Sequence, residues 1–197
     1  MKETGETPDP YARRMATAVA LMSSATENPE DRDRMGEFET LDAHVVAVAD
    51  HAEATAPKPV AAMLVRCGIS QRIRGQFEAA HTNTTRALTI EEAVYGSDHH
   101  QVAITLGNLG IIQQLLGRLE EAEATQQRAL AIFEAVYGSD HHQVASTLGN
   151  LGIIQQQLGR LEEARATVQR AHIIFLRTFG ADHDFTRQAE RLLAEYG

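Results

Sequence analysis

The chain has 197 residues, 43% of them apolar and 5% aromatic, with a formal net charge of −9. That is one soluble domain's worth of chain, and its acidic balance argues against a nucleic-acid or anionic-membrane partner, which would demand a basic surface. The single cysteine, Cys67, excludes an internal disulfide and suits a reducing cytoplasm, and no stretch approaches the roughly 18 apolar residues of a membrane span.

The first ten residues, MKETGETPDP, are polar and have no apolar run after them, so they read as a loose tail and not as a signal peptide. A first helix is expected from about Tyr11 to Ser24, with Met15, Val19 and Met22 on one face. Thr26 to Asp33 is a connector rich in charge and helix breakers. A second helix, about Phe38 to Thr55, carries Leu41, Val45, Val48 and Ala49, and stops before Pro57 and Pro59. Residues 11–56 thus read as a degenerate helix pair covering one end of the array that follows.

That array dominates the chain. His99–Asp140 and His141–Asp182 align without a gap, about three quarters of the positions being identical. A worn copy precedes them at residues 57–98, and a period of this length marks a repeat solenoid. In the middle copy the spacing predicts a helix from about His100 to Leu116, with Val102, Leu106, Leu109, Gly110 and Leu116 on one stripe. Gly117-Arg118 breaks it. The second helix, about Leu119 to Val136, buries Leu119, Ala122, Ala129, Leu130, Phe133 and Val136. Tyr137-Gly138-Ser139-Asp140 ends it, with Asp140 placed to cap the next helix. Gly110 and Gly152, Ala122 and Ala164, and Ala129 and Ala171 recur where helices must cross closely. Residues 183–197 supply a terminal capping helix, with Phe185, Ala189, Leu192 and Leu193 inward and Arg187, Glu190, Arg191 and Glu195 toward water. Cys67 falls on a buried stripe and reads as a packed thiol.

The small residue of the first helix, Gly117-Arg118-Leu119-Glu120-Glu121-Ala122, and Arg128-Ala129-Leu130 resemble the tetratricopeptide repeat. The long period and Gly-x-Asp-His punctuation resemble the long-unit form of kinesin light chains and of bacterial NB-ARC/STAND signalling proteins. Leu41 to Glu53 is similar to what precedes the repeats in the latter. The resemblance implies an all-α, right-handed α-solenoid of antiparallel helix pairs that binds other proteins. The chain departs from the family pattern at Gln113 and Gln155, where a large aromatic is usual, and at Thr84 and Gln126, where a bulky apolar residue is usual. Those departures imply a more polar seam.

Chemistry finds little support. Asp98-His99-His100, repeated as Asp140-His141-His142 and echoed as Asp182-His183-Asp184, offers metal-ligand types. Adjacent histidines at a helix start should diverge, however, and the family resemblance implies that His100 and His142 occupy a proline position in a capping punctuation. Glu120-Glu121 and Glu162-Glu163 occupy first turns, where the helix dipole favours negative charge. His44 and His51 read as helix-surface histidines. No nucleophile constellation or phosphate-cradling loop is present. The chain is read as non-enzymatic, with no cofactor, no metal and no catalytic residue.

The informative surface is the concave one, built in such arrays from first helices. By this register it receives Ala62, Val65, Arg66, Ile69 and Arg72 from residues 57–98. Residues 99–140 contribute Ile104, Asn108, Ile111, Gln114 and Leu115, and residues 141–182 contribute Ser146, Asn150, Ile153, Gln156 and Gln157. Asn108 and Asn150 match an asparagine that faces the bound peptide in light-chain-like repeats. Gly107 and Gly149 beside them remove side chains and would let a ligand's backbone approach. The expected function is a cytoplasmic scaffold binding a protein or extended peptide, with bacterial signalling implied by the resemblance. The alternative is a self-associating structural array; a third class, a metal- or small-molecule-responsive accessory, would reveal itself as ligand-induced stabilisation.

Overall fold

The structure, a computed structural model, describes residues 35–54 and 56–196, together with Pro10, Arg13, Arg14 and Thr17. The expected tail, the first helix with Met15, Val19 and Met22, and the connector after it fall almost wholly outside the described residues, as does the side chain of Leu41. The described elements are eight α-helices: α1 (Met35–Ala52), α2 (Pro57–Ile73), α3 (Phe77–Tyr95), α4 (His100–Leu115), α5 (Leu119–Tyr137), α6 (His142–Gln157), α7 (Leu161–Phe179) and α8 (Asp184–Glu195). Among the described residues no helix is long and apolar enough to cross a membrane. The chain divides into two compact units, Met1–Val94 and Tyr95–Gly197.

In the first unit α1 lays Val45, Ala49 and Ala52 against Val60, Ala61, Leu64 and Cys67 of α2 and Ala87 and Ile90 of α3. The core is crossed by a polar cluster. Asp42 receives Nη2 of Arg74 at 2.5 Å, Nε2 of Gln71 at 3.1 Å and the Cys67 thiol at 3.3 Å, and Asn83 donates to Gln71 at 3.0 Å. Burial first, then the Asp42 charge, pushes the Cys67 thiol far above its ordinary range, so it is a packed thiol without nucleophilic character. On the outer side Arg86 clamps Asp50 at 2.6 Å and Glu53 at 2.7 Å, tying α3 to α1.

The second unit is built from the near-copies. Here α4 packs on α5 and α6 on α7, α5 meets α6, and α7 meets α8. Each pair turns on one glycine: Gly117 and Gly159 have φ of 76° and 79°. The following N–H of Arg118 or Arg160 reaches back to Gln113 or Gln155 at 2.9 Å. This Schellman closure satisfies carbonyls that a helix end otherwise leaves orphaned. Small residues then let the helices close: Ala122, Ala129, Ala164 and Ala171 are fully buried. A Cβ on Gly152 would lie 2.3 Å from Cγ2 of Val168, and one on Gly110 2.7 Å from Nε2 of Gln126.

Two of the expected orientations are overturned here. Val136 is 46% exposed, because Ile132 and Phe133 already fill the end of the buried stripe on α5. Phe185 is 45% exposed, held against Phe175 with ring centroids 5.4 Å apart. Glu123 on α5 is buried under Arg160, whose Nη1 donates to it at 2.9 Å. The polar outer face of α8, with Arg187, Glu190, Arg191 and Glu195 exposed, is as expected. The seam residues Gln113, Gln126, Gln155 and Thr84 are buried.

Candidate functional site

Helix α4 commits Val102, Ala103, Leu106, Leu109, Ile112 and Gln113 to the interior. That leaves Ile104, Asn108, Ile111 and Leu115 on a second stripe at spacings of four, three and four, which is one face of a helix. The first three are half-buried and Leu115 is exposed. Helix α6 repeats the stripe with Ser146, Asn150, Ile153 and Gln157, flanked by Gln156. Nε2 of Gln114 donates to Oε1 of Gln157 at 3.2 Å, so the two stripes lie side by side and the ten residues named on α4 and α6 form one amide-and-aliphatic face.

Gly107 and Gly149 sit within this face. A Cβ at either would meet nothing within 4 Å, in contrast to Gly110 and Gly152. Their lack of a side chain serves no packing purpose inside the chain, although a mid-helix glycine costs about 1 kcal/mol relative to alanine. The two asparagines differ. Nδ2 of Asn108 is held by the Ile104 carbonyl at 3.2 Å, leaving its oxygen to accept. Asn150 has no side-chain partner among the described residues, so it can donate and accept at once.

Arg66, Ile69 and Arg72 lie on α2 of the first unit. Arg66 and Ala62 are exposed, Ile69 and Arg72 half-buried, and Nε of Arg72 is buried without a hydrogen-bond partner. Val65, expected on the same stripe, is 8% exposed and belongs to the core.

Sequence reasoning treated α8 only as a cap and missed its share of the site. Gln188, Ala189 and Leu192 of α8, with Phe185, join Ser146, Gly149, Asn150 and Ile153 around a cavity of about 110 Å³ whose floor is Val168 and Phe175. The signal was available: counting 42 residues on from Ser146 and Asn150 reaches Gln188 and Leu192.

The Asp-His-His loops work differently from expectation. The N-cap is the first histidine, not the aspartate. Nδ1 of His99, His141 and His183 accepts the N–H of Gln101 and Gln143 at 3.2 Å and of Phe185 at 3.3 Å. Asp140 is exposed, 3.8 Å from Arg177. Nor do the adjacent rings diverge: His99 and His100 have centroids 4.3 Å apart, and His141 and His142 4.2 Å apart. Each capping ring also stacks on the aromatic that ended the preceding helix, Tyr95, Tyr137 or Phe179, at 4.7, 4.3 and 4.4 Å. Burial, and then the neighbouring charge of His142, holds the His141 imidazole below its ordinary pKa, which favours the neutral ring that a capping acceptor must be. Among the described residues no three His, Cys, Asp or Glu side chains gather as a metal site would require.

The family model described as tetratricopeptide repeat matches residues 59–135, 111–172 and 143–196. The curated proteins include no match. Solved structures similar in fold include BtubC (BKLC) from P. vanneervenii, with a TM-score of 0.74 and 19% identity over 95% of this chain and 83% of that one. A putative kinesin light chain with nearly identical TPR-like repeats from Podosopora anserina has a TM-score of 0.73 and 17% identity over 96% and 87%. PilF of Pseudomonas aeruginosa is more distant, with a TM-score of 0.57 and 14% identity over 96% and 79%.

Proposed function

The chain belongs to the tetratricopeptide repeat family, whose fold commonly mediates protein–protein interaction, and from that premise we propose that it binds an extended peptide of a partner protein along the α4–α6 face. The observation that carries the reading is the pairing of Gly107 with Asn108 and of Gly149 with Asn150. In each pair a bare stretch of helix backbone opens onto empty space beside an amide able to bond a peptide's own N–H or C=O. Ile104, Ile111, Ile153 and Leu115 add apolar contact, while Ser146, Gln114, Gln156 and Gln157 add hydrogen-bonding groups that do not dictate sequence. Arg66 and Arg72 stand on α2 of the first unit and are proposed separately, as a pair that favours acidic character in a ligand. A place as sensor or scaffold in bacterial cytoplasmic signalling is the further part of the reading. It rests on the likeness of Leu41–Glu53 to what precedes the repeats in NB-ARC/STAND proteins.

The test is binding of the partner recovered from native cell extract. Asn108→Ala combined with Asn150→Ala should weaken a micromolar complex by about 1–3 kcal/mol, roughly fivefold to 150-fold, while helical circular dichroism and melting temperature stay near wild type. Arg66→Glu should weaken it in a salt-dependent way. Normal binding by the double asparagine variant, with loss on substituting the exposed Gln127 of α5, would place the interface elsewhere.

A further inference from the structure

We propose that the cavity between α6 and α8 is a subsite that takes one aliphatic side chain, of leucine, isoleucine or methionine size, from the bound peptide. The inference rests on the peptide-binding reading above and adds to it a residue preference and a position. Three observations carry it.

The first is size and lining. At about 110 Å³ the cavity is well below the roughly 300–1,000 Å³ of small-molecule sites. It is near the ~150 Å³ of an apolar cavity that admits benzene. One side chain fits; a metabolite does not. The lining is mostly apolar (Ile153, Val168, Phe175, Phe185, Ala189, Leu192), its polar members (Ser146, Asn150, Gln188) are uncharged, and no charged residue lines it. A carboxylate or ammonium would be stripped of water there without a counter-charge, so the occupant is uncharged.

The second is a comparison inside the chain. Counting back 42 residues from Val168, Ala189, Leu192 and Phe185 reaches Gln126, Thr147, Asn150 and Gln143. At all four positions a polar residue upstream is replaced by an apolar one around this cavity, while Phe175 has Phe133 as its counterpart.

The third explains why space exists here. Upstream, Gln126 is fully buried and its Nε2 reaches the Gly107 carbonyl at 3.0 Å, so its amide fills the gap beneath Gly107. Val168 is shorter by the whole amide group and leaves the corresponding gap beneath Gly149 open. Gly149 itself lines the cavity and has no atom where its Cβ would stand. A ligand backbone can therefore pass directly over the opening, with the Asn150 amide alongside.

The experiment uses the full chain with methyl-labelled isoleucine, leucine and alanine, and blocked pentapeptides acetyl-Gly-Gly-X-Gly-Gly-amide with X as leucine, methionine, alanine or glutamate. Titrated to about 10 mM, which covers the millimolar affinity of so short a ligand, the leucine and methionine probes should shift the methyl signals of Ile153, Ala189 and Leu192. They should bind at least about tenfold more tightly than the alanine and glutamate probes, a difference of about 1.4 kcal/mol. Gly149→Leu should roof the cavity and abolish these shifts, and Gln127→Leu, on the exposed face of α5, should leave them intact; both should remain folded by circular dichroism. Val168→Gln, which restores the upstream filling, should abolish the shifts independently. Leucine and alanine probes that bind alike, shifts confined to other methyl groups, silence at the highest concentration, or an unaltered response in folded Gly149→Leu would each overturn the subsite. If the probes fail while partner binding still depends on Asn108 and Asn150, the subsite alone is lost. If the probes bind as expected while the partner ignores those asparagines, the α4–α6 reading is what fails.

Discussion

Helix pairs α4–α5 and α6–α7 carry the same glycine at their crossing and close on it with different chemistry. Gly110 meets the amide of Gln126, and Gly152 meets a methyl of Val168. Both fillers are fully buried, but Gln126 leaves its Oε1 without a partner. The backbone register is therefore set by the absence of a side chain at the glycine and by the alanines beside it, not by what fills the space. The filler is free to vary, and its length decides whether the face above is solid or hollow. Binding properties can diverge between near-copies without disturbing the scaffold.

The largest effect should come from the shared part. Ala122→Leu and Ala164→Leu overpack equivalent, fully buried crossings and should each cost about 1–3 kcal/mol. The exposed control Gln127→Leu should stay within about 0.5 kcal/mol. Thermal or denaturant melts check this, and a large inequality between the two alanines would break the equivalence of the pairs.

The capping histidines come next. His141→Ala removes the acceptor for the Gln143 N–H and should cost about 0.5–2 kcal/mol, whereas Asp140→Ala should be mild. The effect depends on pH with a definite sign. The folded-state pKa of His141 lies below its ordinary 6.5, so the stabilisation is present above pH 6.5 and is lost as pH falls through the lower folded value. His141→Asn, which caps without titrating, should flatten that acid limb in a series of melts.

Smaller still is the filler exchange. Gln126→Val removes a buried acceptor that has no partner along with the bond to Gly107, and should raise stability by about 0.5–1 kcal/mol. A loss larger than about 1 kcal/mol would mean the amide is better satisfied than its contacts indicate. Smallest is Gly107→Ala, which meets open space and should gain a few tenths to about 1 kcal/mol of helix stability.

These effects also mark how far the chain could be read from its letters. The helix pairs, the Gly117 break and the alanine crossings follow from periodicity and from the special φ of glycine, both local properties. The cap did not follow, since aspartate and histidine adjoin and either can accept a hydrogen bond; only the backbone path shows His141 as the residue before the first helical turn. The burial of Glu123 depends on Arg160, 37 positions away, and the exposure of Phe185 depends on its ring partner Phe175. The cavity arises from the difference in length between Gln126 and Val168. Both letters were visible, but what each reaches toward is a fact of three dimensions.

The central claim is that the α4–α6 face, and not the outer surface of the second helices, meets the partner. A photo-crosslinking side chain can be placed at Leu115, exposed at the end of the α4 stripe, and in a second variant at the exposed Gln127 of α5. With both variants folded as wild type and irradiated with the purified partner, a covalent adduct is expected from position 115 and none from position 127. An adduct from position 127 alone would contradict the claim.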